Sequence, residues 1–215
     1  HIVPVNIPES MTSMYQPGIL DTVTHLGQQW GFPHAFSTKA LFMNCDILAE
    51  AGLACEGPQS WDELYSMAET IQSKTGIAGI GLAGKDFDNT MHQFLNYLYS
   101  NGGQVIDPAT NEITLNSPNT VETLEFYAKL ANVSQEGPLA WERSQLTELF
   151  NDKKIAMYIN GPWGAGQHGD INQKTVRIPA GPNGSQGTLL ITDSVAVFNG
   201  TGHEDIAMDI VASLT

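Results

Sequence analysis

The residue pattern best suited to ligand chemistry surrounds one tryptophan. In the segment IAMYINGPWGAGQ, residues 155–167, an apolar strand-like run ends in an Asn-Gly-Pro turn, and Trp163 follows directly. A Gly-Pro turn exposes the side chain that comes next, and an indole offers a flat apolar face with one N–H donor. We therefore expect Trp163 to stack on a ligand. Packing at the rim of a hydrophobic core is the alternative, because tryptophan is usually largely buried.

Residues with catalytic or metal-binding potential form no recognisable pattern. The sequence contains no G-x-S-x-G elbow, no P-loop, no H-E-x-x-H and no dinucleotide-binding glycine fingerprint that opens a helix. The six histidines lack ligand-like spacing, and no C-x-x-C occurs. Two carboxylates that act on a glycosidic bond can come from anywhere in a chain, so a glycosidase stays open at this point. We predict no catalytic residue, no cofactor and no metal.

The two cysteines, Cys45 and Cys55, flank the segment DILAEAGL, which has the character of a short helix. At a rise of about 1.5 Å per residue, such a helix separates its ends beyond the reach of a disulfide unless the following loop folds back. We therefore expect unpaired thiols, with a disulfide as the alternative.

Composition and charge limit the class of protein. The chain has 215 residues, of which 41% are hydrophobic and 15% charged, as in an ordered globular protein. A net charge of −14 argues against partners that need a basic face, namely nucleic acid and anionic lipid. No apolar run approaches the roughly 20 residues of a membrane span. The start at His1 lacks the features of a signal peptide, so we expect a piece of a longer protein.

Apolar periodicity and capping signals predict alternating helices and strands. Helix N-caps are expected at Ser60, Ser117 and Thr201. Helices are predicted at 46–51, 60–76, 89–103, 117–131, 144–154 and from 201 onward, and strands at 77–84, 112–116, 155–159, 174–178 and 188–198. The helical side chains expected to face the core are Leu64, Met67, Ala68, Ile71, Met91, Leu95, Leu98, Val121, Leu124, Ala128, Leu146, Leu149, Phe150, Ile206, Ala207, Ile210, Val211 and Leu214. The alternation predicts an α/β fold with a sheet rich in parallel strands and helices on both faces.

Three segments together resemble one protein family. STKALFMNCDILAEAGL with GPQSWDELYSMAETI, then LTELFNDKKIAMYINGPWGAGQ, then PAGPNGSQGTLLITDSVAVFNGTGHEDIAMDIVASLT follow the order and spacing of motifs in extracellular solute-binding proteins. They lie between residues 37 and 215, and the match in order and spacing extends over essentially the whole chain. The chain is similar to the maltose-binding-like group of ABC-transporter substrate-binding proteins.

The resemblance implies a periplasmic-binding-protein-like fold of type II, with two lobes and a ligand in the cleft between them. Residues 1–36 would be the tail of the N-terminal lobe with the first crossing, and 37–192 the C-terminal lobe. Residues 193–215 would be the return crossing and one helix of the N-terminal lobe. This chain would then be a fragment that contains mainly the C-terminal lobe, from a monomeric periplasmic or extracellular protein, with a lipoprotein anchor as one option.

The resemblance also implies roles for particular residues. Trp163 occupies the position of the family's ligand-stacking tryptophan, whereas Trp61 matches a tryptophan that packs between helices. The further candidates for ligand contact are Ser37, Thr38, Asp88, His92, Thr192 and Asp193. His92 and Asp88 stand where maltose binders carry aromatic residues, which favours hydrogen bonds to hydroxyl groups over stacking and argues against a long maltodextrin.

The implied function is a binding protein that delivers a sugar or short oligosaccharide to an ABC-transporter permease, without chemistry of its own. A glycerol-phosphate or other polar-solute binder of the same fold is one alternative, and a periplasmic carbohydrate-active enzyme is another. Phosphate needs Arg, Lys or a helix N-terminus. Both arginines, Arg143 and Arg177, are expected outside the cleft, so a neutral sugar is preferred.

Overall fold

A computed structural model describes residues 1–215 and divides them into two compact units. Unit 1 comprises residues 1–37 and 190–215, and unit 2 comprises residues 38–189. The helices are α1 (Glu9–Thr12), α2 (Cys45–Glu50), α3 (Trp61–Thr75), α4 (Asp88–Ser100), α5 (Pro118–Leu130), α6 (Arg143–Asn151) and α7 (Glu204–Leu214). The strands are β1 (Thr24–His25), β2 (Gln28–Gln29), β3 (Phe32–Ser37), β4 (Ala40–Asn44), β5 (Met157–Asn160), β6 (Gln173–Val176) and β7 (Ile191–Val195).

Unit 2 is built on a three-stranded sheet in the order β5-β4-β6, in which both pairs of strands are antiparallel. Alternate residues of β4 enter different cores, as the two-residue period of a strand requires. Leu41 and Met43 pack in a core with α3 and α5, whereas Phe42 packs in a second core with α6. The α/β class and the cover on both faces are therefore confirmed, and the expectation of a parallel-rich sheet is wrong.

The glycine-rich segment 77–84 does not form the predicted strand. Its sheet-like contacts are single parallel bridges, Ala78 to Ile155 and Ile80 to Ser134. A Cβ on Gly79 would lie 2.2 Å from the carbonyl oxygen of Ala68 in α3. The glycine therefore serves the close approach of this segment to a helix rather than a continuous ladder. The predicted strand at 112–116 is likewise reduced to a single bridge, Ile106 to Ile113.

The helix ends largely follow the predicted signals. The hydroxyl of Ser60 accepts a hydrogen bond from the backbone N–H of Glu63, and that of Ser117 from Thr120. At the last helix the Glu204 carboxylate accepts from the Thr201 backbone N–H. The helix itself begins at Glu204, and its N-cap is His203 rather than Thr201.

The buried face of α5 differs from the prediction. Val121 and Leu124 are 50% and 53% exposed and Ala128 is exposed, whereas the buried side chains are Thr120, Thr123, Phe126 and Leu130. Two interactions explain why this face of α5 is the buried one. The ring of Phe126 stacks on Trp61 with centroids 4.3 Å apart. The Thr123 hydroxyl donates to the Asn119 carbonyl at 2.6 Å, which makes its burial inexpensive.

The other predicted helix faces are confirmed in part. Leu64, Ala68 and Ile71 of α3 are buried and Met67 is partly buried, and Leu146, Leu149 and Phe150 of α6 are buried. In α4 Leu95 and Leu98 are buried but Met91 is 54% exposed. In α7 Val211 is buried and Ala207 partly so, whereas Ile206, Ile210 and Leu214 are exposed. The expectation that Ile206, Ile210, Leu214 and Met91 face the core is therefore wrong.

The cysteines form a disulfide, so the expectation of free thiols is wrong. Cys45 and Cys55 are bonded, with Cα atoms 5.2 Å apart. Cys45 is the first residue of α2, and the helix ends at Glu50 after only six residues. Gly52 then adopts a left-handed φ of +77°, and Leu53 N–H donates back to the Leu48 carbonyl. The loop therefore folds back, which is the condition that the bridge needed.

Unit 1 joins both ends of the chain. Strand β3 pairs with β7 in an antiparallel ladder, and β1 pairs with β2. Its core contains Val5, Ile7, Phe32, Val197 and Val211. None of the helices combines the length and apolar character that a membrane-crossing helix needs.

Candidate functional site

Trp163 is presented by a short turn at the end of a buried strand. All four residues of β5 are buried, and a 3-10 helix, Pro162–Gly166, follows Gly161. The indole is 40% exposed. A Cβ added to Gly161 would lie 2.3–2.5 Å from three atoms of the indole six-membered ring. The glycine is therefore needed so that the ring can fold down onto the backbone, which fixes its position.

Two cations lie beside this indole. Lys39 Nζ is 4.2 Å from the ring centroid and Arg143 Cζ is 5.3 Å from it, within the range of cation–π attraction. Lys39 is only 5% exposed, and its backbone N–H donates to the Thr188 hydroxyl at 2.9 Å. An aromatic plate flanked by positive charge is suited to a ligand with both an apolar face and hydrogen-bond acceptors.

Arg143 is held at this place by the geometry of α6 and β5. It is the first residue of α6, whose capping box joins Glu142 and Gln145. Its Nη1 donates to the Asn160 side-chain oxygen at 3.0 Å. Its Nε is buried without a hydrogen-bond partner. The salt bridges Lys154–Asp152 and Lys174–Glu56 do not involve Arg143, and none joins Arg143 to a carboxylate of this chain.

A chain of buried polar side chains supports the turn from below. Asn160, fully buried, accepts from the Gly161 backbone N–H at 2.8 Å and donates to the Tyr158 hydroxyl oxygen at 2.8 Å. Tyr158 in turn shares a hydrogen bond with His168 Nε2, and His168 Nδ1 shares one with the Gln173 side-chain oxygen. The Gln173 amide then donates to the Ala165 carbonyl inside the turn. The network connects strand, turn and β6, so Trp163 stands on a rigid base.

This network defines the protonation state of His168. An amide oxygen can only accept, so Nδ1 carries the proton and Nε2 is an acceptor that faces the Tyr158 hydroxyl; the same hydroxyl is also within hydrogen-bond distance of the Thr147 hydroxyl. Burial lowers the pKa of His168, which agrees with a neutral ring. Burial also raises the pKa of Tyr158, which keeps the phenol protonated and able to donate. The base of the site is therefore uncharged at neutral pH.

The structure places His92 and Asp88 in the electrostatic environment of the two cations. His92 is partly buried on α4, and Asp88 is the exposed first residue of that helix. Burial lowers the pKa of His92 most, and Lys39 lowers it further. Asp88 acts in the opposite direction, and Arg143 lowers it again. The charges of Lys39 and Arg143 therefore act on His92, and its role in ligand contact stays a prediction.

The remaining predicted residues are divided between the two units. Thr38 belongs to unit 2 and lines a groove of about 610 Å³, together with Lys39 and Thr188. Ser37, Thr192 and Asp193 belong to unit 1, where they lie in the β3–β7 ladder; Asp193 is exposed, and the Thr192 hydroxyl is buried without a partner. Their role in ligand contact stays a prediction.

Sequence reasoning did not single out Lys39 or Asn160, and it expected Arg143 to lie outside the cleft. Arg143 in fact lies beside Trp163. A signal for this was available, because α6 leads into β5 through a short connection, 152–156. A helix followed directly by a returning strand brings the helix start near the strand end, as the Arg143–Asn160 hydrogen bond shows.

Comparison with solved structures places the fold among those of solute-binding proteins. A maltose-bound MalE3 of T. maritima superposes with a TM-score of 0.80 at 24% identity, covering 94% of this chain and 54% of that one. A solute-binding protein of Thermotoga lettingae, bound with α-D-tagatose, gives 0.82 at 23% identity, with 99% and 57% covered. Both have the two-lobe fold, so this chain shares that fold over about half of their length.

The chain belongs to the bacterial extracellular solute-binding protein family, whose model matches residues 3–215. A putative binding protein of Brucella abortus is 28% identical over 202 residues, which is 91% of this chain and 47% of that protein. An arabinooligosaccharide-binding protein of Halalkalibacterium halodurans is 23% identical, with 86% and 43% covered. An sn-glycerol-3-phosphate-binding periplasmic protein of Rhizobium meliloti is 24% identical, with 90% and 46% covered. The chain spans about half the length of these relatives, each of which is named as a binding protein.

Proposed function

We propose that this chain is part of the substrate-binding component of an ABC importer and that it contacts a sugar or short oligosaccharide through Trp163. The observation that carries the proposal is a 40%-exposed indole fixed on a rigid polar base at the end of a buried strand. A sugar ring has an apolar C–H face and a rim of hydroxyl groups, so a flat indole beside hydrogen-bond donors matches it.

The comparisons support the choice of ligand class. One relative is named for binding an arabinooligosaccharide, and two similar structures contain maltose and tagatose. Unit 2 would be the C-terminal lobe, and unit 1 a part of the N-terminal lobe with the crossings. The solute would be delivered to a membrane permease from a periplasmic or extracellular location, in keeping with the family's extracellular character.

Calorimetric titration of the full-length gene product with a panel of mono- and oligosaccharides tests the proposal. We expect at least one sugar to bind, and Trp163→Ala to weaken that binding. Trp141 offers a matched control on unit 2, because it is partly buried against the second core and its N–H donates to the Glu136 carbonyl. Trp141→Ala should leave the affinity of the folded protein unchanged. Absence of binding across the panel would refute the proposal.

A second candidate, binding of a glycerol phosphate or similar anionic solute, is favoured by one specific observation. Lys39 and Arg143 converge on Trp163, although the sequence pattern indicated no cation there. The Rhizobium meliloti relative is named for sn-glycerol 3-phosphate. Titration with sn-glycerol 3-phosphate in parallel with the sugar panel separates the two candidates.

A further inference from the structure

We propose that the solute bound at Trp163 is an acidic sugar, whose carboxylate or phosphate is recognised by Arg143. This inference rests on the proposed function, since it assumes a saccharide at Trp163 and adds the chemical class of that saccharide. The argument comes from the charge and hydrogen bonding of Arg143 and from the field around it.

Arg143 is a partly desolvated cation without an anion. The hydrogen-bond partner of its guanidinium is the neutral side chain of Asn160, and its buried Nε–H has no acceptor. A buried donor without a partner and a buried charge without a counter-ion both cost free energy. An anion that reaches the guanidinium would offset part of this cost, and a guanidinium binds carboxylate and phosphate groups in a geometry that fits both.

No protein carboxylate pairs with Arg143. The chain has 23 Asp and Glu residues against nine Lys and Arg, yet none of these acids forms a salt bridge with the Arg143 guanidinium. Lys154 and Lys174 do form such salt bridges, with N–O distances of 3.1 and 2.9 Å. Arg143 instead lies 5.3 Å from the indole centroid, at the surface where the ligand is expected.

A second cation lies near the same surface. Lys39 lies over the same indole, and both cations shift the protonation of His92 toward the neutral form. Asp88 acts on His92 in the opposite direction, but it is exposed at the start of α4 and forms no salt bridge with Arg143. An anionic group beside Trp163 would therefore meet an Arg143 guanidinium that no protein carboxylate has bound.

Neutral and acidic members of matched sugar pairs provide the test. The full-length gene product is titrated with glucose, glucuronate and glucose 6-phosphate, with galactose and galacturonate, and with the disaccharide counterparts. We expect one acidic sugar to bind at least about tenfold more tightly than its neutral counterpart, since a hydrogen bond to a charged group is lost in the neutral one. The glucuronate and glucose 6-phosphate arms distinguish a carboxylate from a phosphate.

Variants assign the effect to Arg143. Arg143→Gln should remove most of the preference for the acidic sugar, because it should weaken binding of the acidic sugar at least about tenfold more than binding of its neutral counterpart. Arg143→Lys should restore part of the preference, because it returns the charge but not the planar fork. Arg177→Gln is the matched comparison, since Arg177 is the other arginine of unit 2, is exposed in the groove that Thr38 and Lys39 line, and makes no cation–π contact with Trp163. Circular dichroism melts verify that each variant is folded.

Each outcome separates this inference from the function on which it rests. The acidic-sugar inference would be overturned if neutral sugars bound as tightly as their acidic counterparts, both to the wild-type protein and to Arg143→Gln. The proposal of sugar binding would then remain intact. Failure of every saccharide, neutral or acidic, to bind would overturn both. An acidic preference that survives in Arg143→Gln and Arg143→Lys but disappears in Arg177→Gln would show that the wrong arginine has been assigned.

Discussion

Truncation of Trp163 to alanine separates a ligand plate from a packing residue. A fully buried aromatic side chain covers about 150–250 Å², and the indole is 40% exposed, which leaves roughly 100 Å² for a ligand to cover. At about 25 cal/mol per Å², covering that area contributes up to about 2.5 kcal/mol. We therefore expect Trp163→Ala to weaken sugar binding by roughly 1–3 kcal/mol, or about 5- to 150-fold in Kd.

The stability of the same variant supplies the contrast. The covered part of the indole packs on Gly161 and under Lys39, so its loss should lower the free energy of unfolding by about 1–2 kcal/mol. Trp61→Ala should cost about 3–5 kcal/mol. Trp61 is 3% exposed, stacks on Phe126, and donates from its ring N–H to the Ser100 hydroxyl.

Titration calorimetry and chemical denaturation on both variants measure the two quantities separately. The expected result is a Trp163→Ala protein with weakened affinity and modest destabilisation, and a Trp61→Ala protein with large destabilisation and unchanged affinity in its folded fraction. The reasoning would be refuted if Trp163→Ala lowered stability as much as Trp61→Ala while the affinity of the folded protein stayed at the wild-type value.

Three further perturbations test particular contacts. Gly161→Ala should weaken sugar binding by displacing the Trp163 ring. The φ of −83° at Gly161 suits alanine, and the atoms that a Cβ there would meet belong to the Trp163 ring. Unchanged affinity by calorimetry would contradict this expectation. Denatured, unreduced protein should show no free thiol, and labelling of either cysteine would contradict the disulfide. Replacing Cys45 and Cys55 with serine should lower the free energy of unfolding in denaturant by about 2–3 kcal/mol, as expected for a short closed loop. The native pKa of His92 lies below 6.5, so at pH values between the native and unfolded pKa the unfolded chain binds more protons than the native chain. The contribution of His92 to stability is therefore fully present above pH 6.5 and is lost as pH falls through the native pKa. His92→Gln should reduce this pH dependence of stability, and an NMR titration that gives His92 a pKa at or above 6.5 would refute it.

The sequence predicted those features that depend on neighbouring residues. The N-caps at Ser60 and Ser117 follow from side chains that reach the backbone three residues on. The exposed indole after a buried strand follows from the Gly-Pro turn, and the burial of Trp61 agrees with its place in the family motif. The family itself was identifiable because several such local motifs occur in a fixed order.

The tertiary structure alone decided which separate segments meet. Apolar spacing indicated that α5 is amphipathic, but the stack of Phe126 on Trp61 selected which face is buried. The six-residue helix after Cys45 suggested separated thiols, but the left-handed turn at Gly52 brought Cys55 back to it. Arg143 lies 20 residues before Trp163 in the sequence, and its place beside the indole depends on how α6 packs against β5. Local propensity acts through the few residues that a turn or helix spans, whereas these contacts follow from which apolar faces can be buried together, and only the packed chain determines that.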